Sequence, residues 1–178
     1  MSTGAAKPLD VLARALDQTA RVLGEVRPEH LDRPTPCREW TVRRLVAHLV
    51  ADPGNFVTMM RGGQPDWDAE LGSLGSDPAG AFRSAAEELM VVWGEQDASA
   101  VAGADRQTAE FAVHTWDLAR GLGRPTDDLD PEVATRGLDF MRQGLTPENR
   151  GRAFAADQPD TPDAPVYERL AAFAGREV

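Results

Sequence analysis

The stretch from Ala109 to Arg120, AEFAVHTWDLAR, decides the architecture to expect. Apolar residues cover nearly every side of it at the helical period, which is typical of a helix buried inside an all-α protein. Glu110 and His114 are four residues apart, so a helix places their Cβ atoms roughly 6 Å apart on one face, and Asp117 joins that strip. Burying an ionised glutamate costs several kcal/mol unless it is paired or binds a cation. The strip therefore needs a partner from elsewhere in the fold. These residues leave two interpretations open, a metal site and a Glu–His ion pair on a solvent-exposed helix face.

Length and composition favour an ordinary globular protein. The 178 residues are 42% hydrophobic and 27% charged, which predicts a single domain over 1–178 with a sizeable core. The net charge of -10 and the absence of any Lys/Arg block disfavour a nucleic-acid partner. The single cysteine, Cys37, excludes an internal disulfide and suits a reducing compartment. No apolar run approaches the ~18 residues of a membrane span and no signal-peptide core opens the chain, so we expect a cytoplasmic protein without membrane contact.

The spacing of apolar residues predicts an all-α bundle of four main helices with additional short ones. A proline-rich loop over 27–40 separates the first two helices, and Asp52-Pro53-Gly54 is expected to bend or end the second. A long excursion over 146–165, fastened to the bundle by Phe154, precedes the last helix. The predicted helices cover 8–26, 42–52, 78–93, 106–120, a segment that begins at 130–132, and 166–174.

Two imidazoles and one carboxylate are the candidate metal ligands. His48 lies on the flank of the apolar stripe of the second helix, and such a histidine alone is more typical of a hydrogen-bonded boundary residue. Bundles, however, build metal sites from the inward side chains of facing helices. Together, His48, Glu110 and His114 would form the three-ligand set of catalytic zinc sites that keep a fourth position open. The same set holds non-haem iron, so ligand type does not fix the metal.

Three neighbouring residues each have a functional and a structural interpretation. Cys37 could approach the metal, but a small buried filler before the second helix is the simpler interpretation. Asp117 could orient His114 as a hydrogen-bond acceptor, or it could cap a backbone or face solvent. Asp52, one turn after His48, could brace that histidine, although a solvated aspartate at a helix end is the preferred interpretation.

Three segments carry a resemblance to a known family. The run PTPCREWTV at 34–42, followed by LVAH at 45–48, resembles the opening of the DinB-like superfamily. It is more closely similar to the actinobacterial branch related to the metal-binding domain of mycothiol-dependent maleylpyruvate isomerase. The segment EFAVHTWDLA at 110–119 resembles that branch's second motif, and RLAAFAGR at 169–176 resembles its usual ending.

The resemblance implies a DinB/YfiT-like four-helix bundle that holds a divalent ion through His48, Glu110 and His114. Zinc comes first among the metals, with nickel or iron as alternatives. It also implies a low-molecular-weight thiol as cosubstrate, which is mycothiol in actinobacteria. The connection between Trp93 and Glu110 is short for this branch, and nothing resembling the isomerase's second domain follows the bundle. We therefore do not expect this chain alone to isomerise maleylpyruvate.

Two hypotheses of function follow. The first is a metal-dependent transferase or isomerase in which a thiol attacks a small electrophile, with both substrates as the only expected partners. The second is a metal- or ligand-binding bundle without catalysis, and a third possibility is a bundle whose site has decayed and no longer binds a metal. The sequence leaves open whether the chain forms a homodimer. Metal content together with mycothiol-dependent loss of a model electrophile would separate the two hypotheses.

Overall fold

A computed structural model describes residues 7–37, 39–67, 74–150, 154–159 and 161–178 of the chain. Within these ranges the chain forms α-helices joined by loops and two 3-10 turns, and no strand. This confirms the all-α class. The helices are α1 (Pro8–Leu23), α2 (Val42–Met60), α3 (Pro78–Gly94), α4 (Ala104–Leu122), α5 (Pro131–Gly144) and α6 (Val166–Phe173), and the 3-10 turns are Pro28–His30 and Val101–Gly103.

The predicted helix starts at 77–78 and 130–131 are confirmed, and each has a physical cause. The carboxylate of Asp77 accepts a hydrogen bond from the Gly80 backbone N–H at 2.9 Å, and Asp130 accepts one from that of Glu132 at 2.9 Å. A proline follows each capping aspartate at the first helical position, where the missing N–H has no cost. The caps fix where α3 and α5 enter the bundle.

Helices α1 to α4 form a four-helix bundle in which α4 packs against α1 and α2, and α5 and α6 cover the outer side of α4. Helix α4 is buried along almost its whole length, as its apolar surface predicts. The core between the helices is closely filled. Its largest fully buried side chains include Trp116, Phe82, Phe111, Leu12, Leu45 and Leu89.

Helix α2 differs from the sequence prediction because it does not end at Asp52. It continues through Pro53 to Met60. Proline costs a helix the hydrogen bond to the carbonyl four residues earlier, but Phe56 and Val57 beyond it are buried in the core. Their burial compensates for the lost bond, so α2 gains two further turns.

Two glycines near the end of α4 have different roles. The helix extends past its predicted end at residue 120. Gly121 lies within α4, and a Cβ there would come within 3.0 Å of the Thr35 and Val42 methyl groups. Gly121 thus lets the proline-rich loop approach α4 closely. The helix ends instead at Gly123, which has a left-handed φ of 73°.

The excursion before α6 is fastened as predicted, since Phe154 is half-buried against the core. Part of the predicted stretch, residues 151–153 and 160, lies outside the described residues. None of the described helices combines the length and the apolarity that crossing a bilayer requires.

Candidate metal centre

The structure brings His48, Glu110 and His114 together between α2 and α4. Oε1 of Glu110 lies 3.1 Å from Nε2 of His48 and 3.1 Å from Nε2 of His114. One ligand atom from each residue lies within 4.8 Å of the other two. The side chains of His48, Glu110 and His114 are 13%, 28% and 10% exposed, so the cluster is mostly buried and Glu110 is its most exposed member.

The two separations from Glu110 are close to the edges of a coordination polyhedron. A tetrahedral zinc with bonds of about 2.0–2.2 Å separates its ligand atoms by roughly 3.3–3.6 Å. The two 3.1 Å separations from Glu110 need only a small expansion to match. Three donors of this kind leave further coordination positions for water or substrate.

Asp52 adds a second carboxylate at the same nitrogen of His48. Its Oδ2 also lies 3.1 Å from Nε2 of His48, and the side chain is fully buried. Nε2 of His48 makes its hydrogen bond with Glu110, and neither oxygen of Asp52 has a hydrogen bond of acceptable geometry within the part of the chain that the structure describes. A buried carboxylate without a donor is costly unless a cation balances its charge.

The charges of the cluster fit a divalent ion. Three carboxylates, those of Asp52, Glu110 and Asp117, surround the two imidazoles, and the guanidinium of Arg176 contacts Asp117. With neutral imidazoles, the carboxylates and the guanidinium leave two negative charges in a buried site. Either two protons on the imidazoles or one divalent cation would balance them.

The pKa values reflect this excess of carboxylates. Burial by itself would lower the pKa of both imidazoles, but Asp52 and Glu110 raise the pKa of His48, and Glu110 and Asp117 raise that of His114 well above its usual value. Burial would raise the pKa of Glu110, but the charge of His114 and the hydrogen bond from His48 hold it below its usual range. Burial raises the pKa of Asp52 to about 6. Protons and a metal ion therefore compete for the same imidazoles.

His114 is held from behind by a second pair of residues. Its Nδ1 lies 3.2 Å from Oδ2 of Asp117, and Arg176 donates to both oxygens of Asp117, from Nε at 3.2 Å and from Nη2 at 2.9 Å. Burial would raise the pKa of Asp117, but its hydrogen bonds with His114 and the charge of Arg176 lower it. Asp117 is therefore an ionised acceptor for His114.

Trp40 forms a wall of the site. Its ring stacks on that of His114 at 5.7 Å between centroids and meets the ring of His48 edge-on at 4.8 Å. The preceding turn is tight, because Trp40 donates its backbone N–H to the Cys37 carbonyl at 3.0 Å and Glu39 has a left-handed φ of 69°. A non-glycine residue in that conformation is strained, and such strain often occurs at functional sites.

Cys37 lies behind the cluster, where a ligand atom of each of Cys37, His114 and Asp117 lies within 4.8 Å of the others. The thiol is half-buried, and burial raises its pKa. Because Arg176 already occupies both oxygens of Asp117, the Cys37 side of His114 is a poorer place for a cation than the Glu110 side.

Sequence reasoning and structure differ most at Asp52 and Arg176. The preferred interpretation of Asp52, a solvated aspartate at a helix end, is wrong, because α2 continues past it and buries the side chain. Of the two interpretations of Asp117, the structure supports the acceptor for His114. Arg176 was not identified as a site residue. The available signal was Gly175 directly before it, since a glycine after a short helix often turns the chain back.

Comparisons with known proteins identify the family of the chain. A family model described as the mycothiol maleylpyruvate isomerase N-terminal domain matches residues 12–119, a span that includes all three donors. Uncharacterized proteins from two strains of Mycobacterium tuberculosis are each 34% identical over 188 residues, covering 96% of this chain and 98% of the relative. No solved structure matches the chain.

Proposed function

Because the chain belongs to the family of mycothiol maleylpyruvate isomerase N-terminal domains, we propose that it binds one divalent cation through His48, Glu110 and His114, with zinc first among the candidates. The bound form then uses a small thiol, mycothiol or a close analogue, to transform a small electrophile. The observation that carries the proposal is the convergence of both Nε2 atoms on Oε1 of Glu110 at 3.1 Å, in a buried cluster whose carboxylates exceed its guanidinium by two charges.

The chemistry follows from the donor set. A divalent ion with an open position stabilises a bound thiol as the thiolate, which is the nucleophilic form. The residues of this chain orient and shelter the reacting groups. Trp40 closes one side of the cluster, and the partly exposed edge of Glu110 leaves the other side open to substrate. The electrophile is an activated alkene, an epoxide or a halide, because each accepts a thiolate at carbon without a further cofactor.

Metal content tests the binding part of this proposal. Protein is purified without a tag, made metal-free, exposed to excess metal and freed of unbound metal. It should then retain about one divalent ion per chain, as measured by inductively coupled plasma mass spectrometry. His48→Ala and Glu110→Ala should each lose it. His30→Ala is the matched control, because His30 is half-buried in the 3-10 turn after α1 and lies outside the cluster. Wild-type protein without bound metal would overturn the proposal.

Turnover tests the catalytic part. Wild-type protein loaded with zinc should accelerate the loss of a model electrophile only when mycothiol is present, and His48→Ala should abolish the acceleration. Stoichiometric metal without thiol-dependent turnover across the three electrophile classes would favour the non-catalytic metal-binding bundle instead.

A further inference from the structure

The C-terminal residues Ala174, Gly175 and Arg176, here called the C-terminal hook, carry a guanidinium back to the centre of the bundle. Arg176 is 59 residues from Asp117 in sequence, yet it donates two hydrogen bonds to the carboxylate, at 3.2 and 2.9 Å. The side chains of Arg176 and Asp117 are only 5% and 0% exposed. Arg176 also lies beyond the residues that the family model matches, so the comparisons assign it no role.

The hook is built by a helix-ending motif. The Arg176 backbone N–H donates to the Ala171 carbonyl at 2.9 Å and that of Gly175 donates to the Ala172 carbonyl at 3.0 Å. This is the Schellman pattern, which needs a left-handed residue, and Gly175 has a φ of 81°. The chain therefore reverses direction directly after α6 and turns Arg176 toward α4.

A second arginine fastens the hook from outside. Nη1 of Arg150 donates to the Phe173 carbonyl at 2.7 Å and to the Ala155 carbonyl at 3.1 Å. The backbone at Ala155 packs so closely that a Cβ on Gly175 would lie 2.6 Å from its oxygen. The position of Arg176 is therefore fixed on both sides and does not depend on its own ion pair alone.

The consequence reaches His114 through Asp117. Oδ2 of Asp117 lies 2.9 Å from Nη2 of Arg176 and 3.2 Å from Nδ1 of His114. A carboxylate held by a guanidinium is ionised and can only accept, so Nδ1 of His114 must be the protonated nitrogen. The lone pair of a neutral His114 then lies on Nε2, the atom that faces Glu110.

We propose that Arg176 is a positioning residue of the metal centre: it fixes Asp117, and through Asp117 it sets the tautomer and orientation in which His114 presents Nε2 to a divalent cation. The proposal rests on the function proposed above. Outer hydrogen bonds of this kind commonly change metal affinity by about 10- to 100-fold. The C-terminal hook is thus part of the site, although it contributes no ligand.

Competitive zinc titration of folded protein tests this role. Arg176→Gln should bind zinc about 10- to 100-fold more weakly than wild type. The zinc affinity of Arg176→Lys should fall between those of wild type and Arg176→Gln, because a point charge cannot reproduce the bidentate contact. Arg14→Gln is the matched control, since Arg14 also pairs with two carboxylates, Asp130 and Glu132, on the outer surface. Weaker folding of the Arg176 variants with unchanged zinc affinity would overturn the proposal.

Two further measurements isolate the positioning role. In Arg176→Ala, low concentrations of guanidinium chloride should restore zinc affinity, whereas equal sodium chloride should not. Nitrogen NMR of the metal-free imidazoles, at a pH high enough to leave His114 neutral, should give protonated Nδ1 for His114 in wild type and a mixture of tautomers in Arg176→Gln. If wild-type protein binds no metal, the proposed function fails, but the NMR comparison still decides whether Arg176 sets the tautomer. Identical His114 spectra in both proteins would refute the inference.

Discussion

Substituting Gly175 by alanine tests the construction of the C-terminal hook. Gly175 and Gly123 have nearly the same left-handed φ, 81° and 73°, so alanine at either position pays the same intrinsic strain of about 1–2 kcal/mol. Their surroundings differ. A Cβ at 123 meets nothing within 4 Å, whereas a Cβ at 175 would lie 2.6 Å from the Ala155 oxygen. Reaching ordinary contact at 3.4 Å requires a backbone shift of about 0.8 Å.

The difference between the two variants gives the expected magnitude. Overpacking against backbone costs typically about 1–3 kcal/mol, so Gly175→Ala should lose roughly 2 kcal/mol more than Gly123→Ala. For a chain of this size that is ~4–8 °C further in Tm. If the hook escapes the clash by detaching, Asp117 loses Arg176, and the free energy of unfolding falls by at least as much because a buried carboxylate loses its guanidinium partner.

Two assays on this glycine pair check the reasoning. Thermal unfolding of the metal-free proteins measures the stability difference, and competitive zinc titration measures the effect on the site. Gly175→Ala should also bind zinc about 10- to 100-fold more weakly, because Arg176 is displaced, while Gly123→Ala should bind like wild type. Equal losses of Tm in the two variants, with equal zinc affinities, would refute the close packing of the hook and its link to His114.

Three other predictions concern the acidic cluster and the loop. Because the folded-state pKa values of His48 and His114 are raised, the folded protein holds protons that the unfolded chain releases, so metal-free stability should fall as pH rises above about 6.5. Zinc affinity should rise over the same range. Urea unfolding and zinc titration at several pH values check both signs. A rise in metal-free stability, or a fall in zinc affinity, over this range would contradict the charge balance. Asp52→Asn should stabilise the metal-free protein at pH 8 by about 1 kcal/mol, because it removes a buried carboxylate without a donor, and should weaken zinc binding. Urea unfolding and zinc titration measure this pair of effects, and a loss of metal-free stability would contradict the first. Gly121→Ala should cost about 1–3 kcal/mol, since its Cβ meets two methyl groups at 3.0 Å, whereas Gly94→Ala, with nothing within 4 Å, should gain about 0.5–1 kcal/mol in urea unfolding. Similar changes for both would show that the loop yields to α4.

The donor set illustrates how far sequence reasoning reached. The strip on α4 followed from helical periodicity, and the apolar surface around it predicted burial. Periodicity could not pair His48 with that strip, because the contact between α2 and α4 joins residues 62 apart in sequence. The family resemblance supplied the pairing that local pattern lacked. Metal binding by the three residues remains a prediction.

The local sequence pattern could not predict the surroundings of the three donors. Pro53 is a strong local signal for a helix end, and only the packing of Phe56 and Val57 in the core overrides it and buries Asp52. The partner of Asp117 comes from a hook whose last turn depends on the contact between Gly175 and Ala155.

The sequence alone determined the all-α class, the helix starts marked by Asp-Pro pairs and the facing of Glu110 and His114, because these depend on spacing and capping within one or two helical turns. The family resemblance paired His48 with that strip, but only the tertiary structure decided that Asp52 is buried beside His48 and that Arg176 lies behind Asp117. The physical reason is that burial and long-range charge pairing act between segments far apart in the chain, where neither periodicity nor capping carries information.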